Sequence, residues 1–285
     1  MKICSFNVNS IRARLGLLLD WLSHRGDDID VLCLQELKTV DEGFPINEFQ
    51  ALGYHCELYG QKAFNGVAIC SRLPVVSVSK GFGSDTEWDK QRRIMQVRLG
   101  GSADGITVVN VYAPHGGERG SEKYNYKLQW YEQFKSYLST IAHDTNNTAF
   151  VVGDFNVARY DSDVYDPAAL KDTIATMPEE RRAFETIIEC GFTDIYSHCH
   201  PGKSHYTWWA YGAAIWKDQG MRIDYALATA QALAITKDIG VDLWPRRKKT
   251  PTPSDHAPLI VETDGSRLNA NSHSKDLIGS FMPSS

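Results

Sequence analysis

The 285-residue chain lacks any apolar stretch long enough to cross a membrane, which takes about 20 consecutive apolar residues. The segment that starts at Met1 is not expected to act as a secretory leader, because Asn7, Asn9, Arg12 and Arg14 interrupt its short apolar run. Cysteine is scarce, at six residues, and no C-x-x-C pair occurs, so no structural zinc site is expected. Cys4, Cys33 and Cys70 lie in apolar, strand-like runs and are expected to be free thiols acting as small hydrophobes in a reducing cytoplasm. Net positive charge is missing too. The formal charge is −5 and the pI about 6.0. A plain nucleic-acid binder is usually basic, but an acidic metal site can hide a local basic rim. The one dense basic run is Arg246-Arg247-Lys248-Lys249, which taken alone reads as a solvated loop. No G-x-S-x-G elbow is present, which argues against covalent serine catalysis.

What is present is a core. Hydrophobic residues make up 42% of the chain, and no linker or repeat breaks it before residue 263. One catalytic domain over 1–264 is expected, with a mobile, Ser- and Asn-rich tail over 265–285. Short apolar runs predict strands over 2–6, 30–34, 66–70, 95–99, 106–111, 149–152, 222–227 and 257–261. Helical spacing joins Leu15, Leu18, Leu19 and Leu22, and again Leu128, Tyr131, Phe134, Tyr137, Leu138 and Ile141. A third helix is predicted over 179–190, with Pro178 at its start and Gly191 past its end. This mixture predicts an α/β layered domain with two packed sheets and helices outside.

Several of these strands run into polar residues that folding does not require: Asn7, then Gln35-Glu36, then Asp154-Phe155-Asn156, and Asp224. Ser254-Asp255-His256 opens the last strand. Each has a plain structural reading, since Asn7 can cap a helix from Ser10, Asp154 can make a local turn and Asp224 can be a satisfied buried carboxylate. Together they follow one rule, the delivery of polar groups by rigid strand ends to loops. Carboxylate and amide oxygens are hard ligands that suit Mg²⁺ or Mn²⁺. A histidine beside a carboxylate can present its free nitrogen to a phosphate or a water.

These residues, in order, resemble the exonuclease III branch of the endonuclease/exonuclease/phosphatase superfamily. The segments are Ser5-Phe6-Asn7-Val8-Asn9 with Ile11-Arg12-Ala13-Arg14, Leu34-Gln35-Glu36-Leu37-Lys38, Asn65-Gly66-Val67-Ala68, Gln91-Arg92-Arg93-Ile94 and Asn110-Val111-Tyr112-Ala113-Pro114. They continue with Gly153-Asp154-Phe155-Asn156, Thr207-Trp208-Trp209, Arg222-Ile223-Asp224-Tyr225 and Pro253-Ser254-Asp255-His256-Ala257-Pro258. The resemblance implies a four-layered α/β sandwich. It makes Glu36 the principal Mg²⁺ ligand, with Asn7 and Asp255 near the same ion. A second metal near Asp154, Asn156 and His256 is left open. Asp154 handles the water or the leaving oxygen, Asn156 and Tyr112 hold the phosphate, and Asp224 orients His256. Whether Asp154 or His256 is the base stays open.

The resemblance also recasts the cations. Lys38, Arg92, Arg93 and the run Arg246, Arg247, Lys248 and Lys249 become candidate DNA-backbone contacts. Trp208 and Trp209 become candidates for the wall of an abasic pocket, with packing as the alternative. Two positions depart from the family: Leu37 stands where Thr is usual, and His115 where Gln or Asn is frequent. His115 is the one expected to alter how bent DNA is held. The implied activity is cleavage of double-stranded DNA 5′ to abasic sites, with 3′–5′ exonuclease and 3′-end trimming, by a cytoplasmic monomer without membrane contact. Alternatives are a 3′-phosphatase or exonuclease with little activity at abasic sites, an inositol phosphatase, and a non-catalytic DNA-binding scaffold.

Overall fold

A computed structural model describes residues 1–26, 28–83, 86–100 and 105–264. The expected tail over 265–285 lies outside the described residues. Fourteen strands are present among those described. One six-stranded sheet runs β13 (Thr236–Val241), β14 (Leu259–Thr263), β1 (Lys2–Asn7), β2 (Val31–Gln35), β4 (Val67–Ser71), β3 (His55–Tyr59). The second runs β5 (Val75–Lys80), β6 (Ile94–Leu99), β7 (Ile106–Tyr112), β8 (Thr148–Asp154), β12 (Asp224–Ala228), β9 (Thr193–Asp194). A two-stranded ribbon joins β10 (Trp208–Trp209) to β11 (Gly220–Met221).

The central strands are apolar on both faces, as strands covered on both sides must be. Ile3, Val31 and Cys33 point into the space between the sheets, against Val108, Phe150 and Val152. Cys4, Leu32 and Leu34 point the other way, onto Leu18, Trp21 and Leu22 of helix α1 (Ile11–His24). The outer face of the second sheet is covered by α3 (Glu122–Ala142) and α4 (Pro178–Ile188), through Trp130, Phe134, Phe184 and Ile187. Shorter helices, α2 (Ile46–Ala51), α5 (Ile195–Cys199) and α6 (Ala230–Ala234), fill the connections. The result is the four-layered sandwich. Full burial of each such aliphatic side chain contributes about 1.5–3 kcal/mol.

Every predicted strand has a counterpart, and the three predicted helices form. Ser10, and not Asn7, caps α1, its Oγ accepting the Ala13 N–H at 3.4 Å. The strands that escaped prediction are mostly edges or two-residue pieces. β5 is largely exposed and β13 reads Thr-Lys-Asp-Ile-Gly-Val, so neither carries a two-sided apolar pattern. One expectation is corrected. Cys70 is not free: β3 and β4 pair in a register that sets Cys56 opposite Cys70, with Cα atoms 4.0 Å apart, and the two form a disulfide. Cys4 and Cys33 are free and buried.

The topology aims chemistry at one end of the molecule. β1 and β2 are parallel, and so are β7 and β8. Their carboxyl ends carry Asn7, Gln35, Tyr112 and Asp154. β12 and β14 run antiparallel to these neighbours, so the starts of those strands arrive at the same end. Asp224 thus lies directly opposite Asp154.

Candidate active site

At that end the polar side chains form one connected cluster. His256 Nδ1 and Asp224 Oδ2 are 2.9 Å apart and buried. The other ring nitrogen, Nε2, lies 3.7 Å from Asp154 Oδ2. Asn7 Nδ2 donates to Asp154 Oδ2 and to Glu36 Oε1, both at 2.9 Å. Tyr112, across β7–β8 from Asp154, faces Glu36. Ligand atoms of Glu36, Asp154 and His256 lie within 4.8 Å of one another.

Local chemistry explains each placement. A Cβ on Gly153 would strike the Val111 carbonyl, so glycine is what allows β7 and β8 to approach beside the site. The next residues turn sharply. Asp154 Oδ1 accepts the Asn156 N–H at 2.9 Å, and Asn156 takes a left-handed backbone, φ 53°. The plain structural reading of Asp154 as a turn-former therefore holds, and its second oxygen faces the cluster. Asn156 Nδ2 donates one hydrogen to the Ala113 carbonyl at 2.9 Å, leaving the other for a ligand. Glu36 is also left-handed, φ 53°. Non-glycine residues held there concentrate at functional sites, where surrounding structure must sustain the strain. Ser254 is a staple: its Oγ donates to the Asn7 carbonyl at 2.6 Å and accepts the His256 N–H at 3.2 Å. Thr207 Oγ1 accepts the Asp224 N–H at 3.1 Å, which links β12 to the ribbon.

Burial and charge set the protonation states. Burial alone would lower the His256 imidazole, but the carboxylates of Asp224 and Asp154 outweigh it and push its pKa up to about 10. Burial raises Asp154 to about 7, with Asp224 and Glu36 adding to the rise against the pull of His256. Burial also opposes ionised Glu36, yet hydrogen bonds from Asn7 and Lys38 hold it below the ordinary value. Burial, then Glu36 and Asp154, push the Tyr112 phenol well above its usual value.

The donor set suits a hard cation. Two carboxylates and an imidazole converge, and a phenol and an amide border them. Asp255, expected at the same ion, stands outside the convergent group. Its Oδ2 accepts the Trp208 indole N–H at 3.0 Å, and its Oδ1 accepts Asn9 Nδ2 at 2.9 Å. Asn7 turns its amide nitrogen to the carboxylates and its oxygen to the Asn9 N–H.

The expected DNA contacts divide. Arg92 is exposed and lies over the Tyr59 ring, 4.5 Å from its centre. Lys38 reaches Glu36 Oε2 at 2.9 Å and also bonds Asn9. Arg247 and Lys249 are exposed, and Lys248 stacks its ammonium 3.8 Å from the centre of the Trp244 ring. His115 is exposed at the rim of a cleft of about 770 Å³ that Arg93 also lines. Three of the candidates are buried. Trp209 is 1% exposed and packs against Ile215 and Ala257. Arg246 is 4% exposed and binds the carbonyls of Trp209, Ala210 and Asp255. Arg93 is buried under Tyr112, donating to its carbonyl at 3.0 Å. Arg246 and Arg93 spend much of their donor capacity on protein carbonyls and on Gln91, and the Trp209 ring is enclosed by its neighbours.

Sequence reasoning missed Asn9, which bridges Asp255, Lys38 and Tyr211. It also gave no role to Gln35 and Asn110, which meet at 2.7 Å in the space between the sheets. The signal for Asn110 in the sequence is a lone amide within the apolar run Thr107-Val108-Val109-Asn110-Val111.

Residues 4–256 match the Endonuclease/Exonuclease/phosphatase family. The chain belongs to that family. Exodeoxyribonuclease III from Haemophilus influenzae is 32% identical, over 92% of this chain and 99% of that protein. Among solved structures, an AP endonuclease from Archaeoglobus fulgidus superimposes with a TM-score of 0.85 at 38% identity, covering 93% of this chain and 99% of that one. A 3′ phosphatase, NExo, from Neisseria, bound to a product DNA hairpin, does so with a TM-score of 0.84 at 36% identity, again over 93% and 99%. The enzyme is a phosphodiester hydrolase of the exonuclease III and AP endonuclease branch.

Proposed function

We propose that the enzyme is a Mg²⁺-dependent DNA repair phosphodiesterase whose catalytic domain spans 1–264. It cleaves 5′ to abasic sites and trims blocked 3′ ends. The observation that carries this reading is the chain of contacts Asp224–His256–Asp154–Asn7–Glu36 at the end of the sandwich where β1, β2 and β8 finish and β12 and β14 begin. Glu36, bordered by Asn7, would hold the cation, and Mn²⁺ suits the same oxygen ligands. When bound, the ion neutralises charge on the phosphate oxygens.

The side chains divide the remaining work. His256, held charged by Asp224 and Asp154, offers its Nε2 hydrogen to a phosphate oxygen. A histidine in that state is a donor and not a base. Asp154, raised to about 7, is the group able to take a proton from water near neutral pH and return it to the leaving oxygen. Asn156 donates its free amide hydrogen to the same phosphate, and Tyr112 its phenol hydrogen. Trp208 orients Asp255 through its indole N–H and offers its half-buried ring as a wall for a missing base.

A second reading, a 3′-end specialist with little activity at abasic sites, is favoured by His115. Its imidazole stands exposed at the rim of the cleft, where it would crowd a duplex continuing past the site more than a 3′ end. The similarity to a 3′ phosphatase agrees with it. One time course on an abasic duplex, a 3′-phosphate duplex and a recessed normal end separates the two, with His115→Gln run beside wild type. Glu36→Gln is expected to bind the abasic duplex but cut it at least 100-fold more slowly. Full activity in excess chelator sinks the metal-dependent reading.

A further inference from the structure

The mechanism above leaves one buried charge pair unused. Lys127 of α3 and Glu180 of α4 are both 0% exposed, with Nζ and Oε1 2.5 Å apart. The same ammonium donates to the Asn156 carbonyl at 2.8 Å and to the His115 carbonyl at 3.2 Å. An ammonium has three hydrogens, so three acceptors use them all. Glu180 is itself fixed, its Oε2 accepting the Met177 N–H at 3.1 Å at the start of α4. The chain crosses close over the lysine stem. A Cβ on Gly116 would come within 2.7 Å of Lys127 Cδ, and Gly116 has φ +94°.

Stability alone does not account for such a pair. Desolvating two charges offsets most of their attraction, and apolar replacements of the same volume are often neutral or better. α3 and α4 already share an aromatic and aliphatic core at Trp130, Phe134, Phe184 and Ile187. What the ammonium adds is geometry. It binds the backbone of both loops, the one that presents Asn156 and the one that presents His115, and adds a third tie to the two they share directly at Ala113, from Asn156 Nδ2 to the Ala113 carbonyl and from the Ala113 N–H to the Asp154 carbonyl.

We propose that Lys127 is a positioning residue whose buried ammonium, anchored by Glu180, locks the phosphate-binding Asn156 and the His115 loop into one register. The inference rests on the roles given to Asn156 and His115 under the proposed function. A shift of either loop would move the amide relative to the phosphate and the imidazole relative to the DNA path together. Misplacement by about 1 Å can cost around 100-fold in rate.

The test is the double variant Lys127→Met/Glu180→Gln, which removes both charges and keeps much of the volume. It is assayed with full-length enzyme in Mg²⁺ on the abasic, 3′-phosphate and recessed duplexes. The variant should fold with melting lowered by the two carbonyls that lose their donor, and KM for DNA should change less than threefold. The kcat should fall at least tenfold, and the ratio of internal nicking to 3′-phosphate removal should shift at least threefold. A folded double variant with wild-type kcat and ratio overturns the proposal. If the double variant does not fold, Glu180→Gln alone decides: lower kcat at unchanged KM supports the clamp, and unchanged kcat overturns it. A wild type inert on all three duplexes sinks the functional reading instead. The clamp is then read from the Asn156 side-chain amide and the His115 ring in NMR spectra. Joint displacement of both signals in Glu180→Gln supports it, and unmoved signals overturn it.

Discussion

At the scale of single residues, this site is a set of ordinary polar side chains whose states depend on their neighbours. Asp224 and His256 are the clearest case, since a buried imidazole keeps its proton only while its carboxylate faces it. Asp224→Asn and His256→Asn should therefore be strongly non-additive. The expected double-variant kcat lies within a few-fold of the worse single variant, and a simple product of the two losses would break the pairing. Asp154 makes a prediction of opposite character. Its folded pKa, about 7, lies above the ordinary carboxylate value, so between that value and pH 7 the folded state binds more protons than the unfolded one. Its contribution to stability thus falls as pH rises through that window, and the full penalty stands above pH 7. In metal-free buffer, Asp154→Asn should melt higher than wild type at pH 8, with the gap closing toward pH 4, while activity is lost. Calorimetry across that range checks the sign. A variant that melts lower at pH 8 contradicts the assigned burial of charge.

At the scale of an element, the segment 246–249 shows how four adjacent cations do different work. Arg246 is an internal brace whose donors satisfy carbonyls of the ribbon and of Asp255. Arg247 and Lys249 face solvent, and Lys248 lies on Trp244. Arg247→Ala/Lys249→Ala should raise KM for DNA and flatten its salt dependence by about one counterion per lost phosphate contact, with unchanged melting. Arg246→Ala should lower stability by about 1–3 kcal/mol, because buried carbonyls lose their partner. Salt-dependent kinetics beside thermal melts distinguish the two. An identical response from Arg246→Ala and from the exposed pair would refute the division. The run was visible in the sequence as charge, but burial belongs to the tertiary contacts. The alternation that reveals a strand cannot say whether Arg246 points in or out of the loop that follows it.

At the scale of the whole molecule, two sheets must meet in one relative position for Glu36 and Asn7 of one to face Asp154 of the other. The space between them is mostly aliphatic, and non-directional burial alone tolerates sliding. Gln35 and Asn110 supply direction. Gln35 Nε2 donates to Asn110 Oδ1, and Asn110 Nδ2 donates across to the carbonyls of Leu34 and Ala68. Asn110→Leu keeps much of the volume but takes the amide donor from the Leu34 and Ala68 carbonyls, while Gln35 Nε2 keeps Ser5 Oγ and the Cys33 carbonyl as acceptors. It is expected to cost about 2–6 kcal/mol, at about 1–3 kcal/mol for each of the two buried carbonyls left unpaired. Activity in the surviving folded fraction should fall as well. Denaturant melts and active-site titration measure both, and a variant as stable and active as wild type would leave the sheets held by aliphatic packing alone.

The sequence by itself determined the layered class, the central strands and the ordered polar residues at their ends. Each of these is written locally: apolar runs covered on both faces, a Pro178 start and Gly191 stop, and hard oxygen ligands where strands give way to loops. It determined the chemistry of the cluster for the same reason, because the side-chain types are fixed whatever their arrangement. Only the tertiary structure decided which of them converge. It set Asp255 apart from Glu36 by giving its oxygens to Trp208 and Asn9. It turned Trp209, Arg93 and Arg246 inward, and paired Cys56 with Cys70. It joined Lys127 to Glu180, 53 positions away. Those outcomes depend on register, on burial and on partners distant in sequence, which no local pattern of residues encodes.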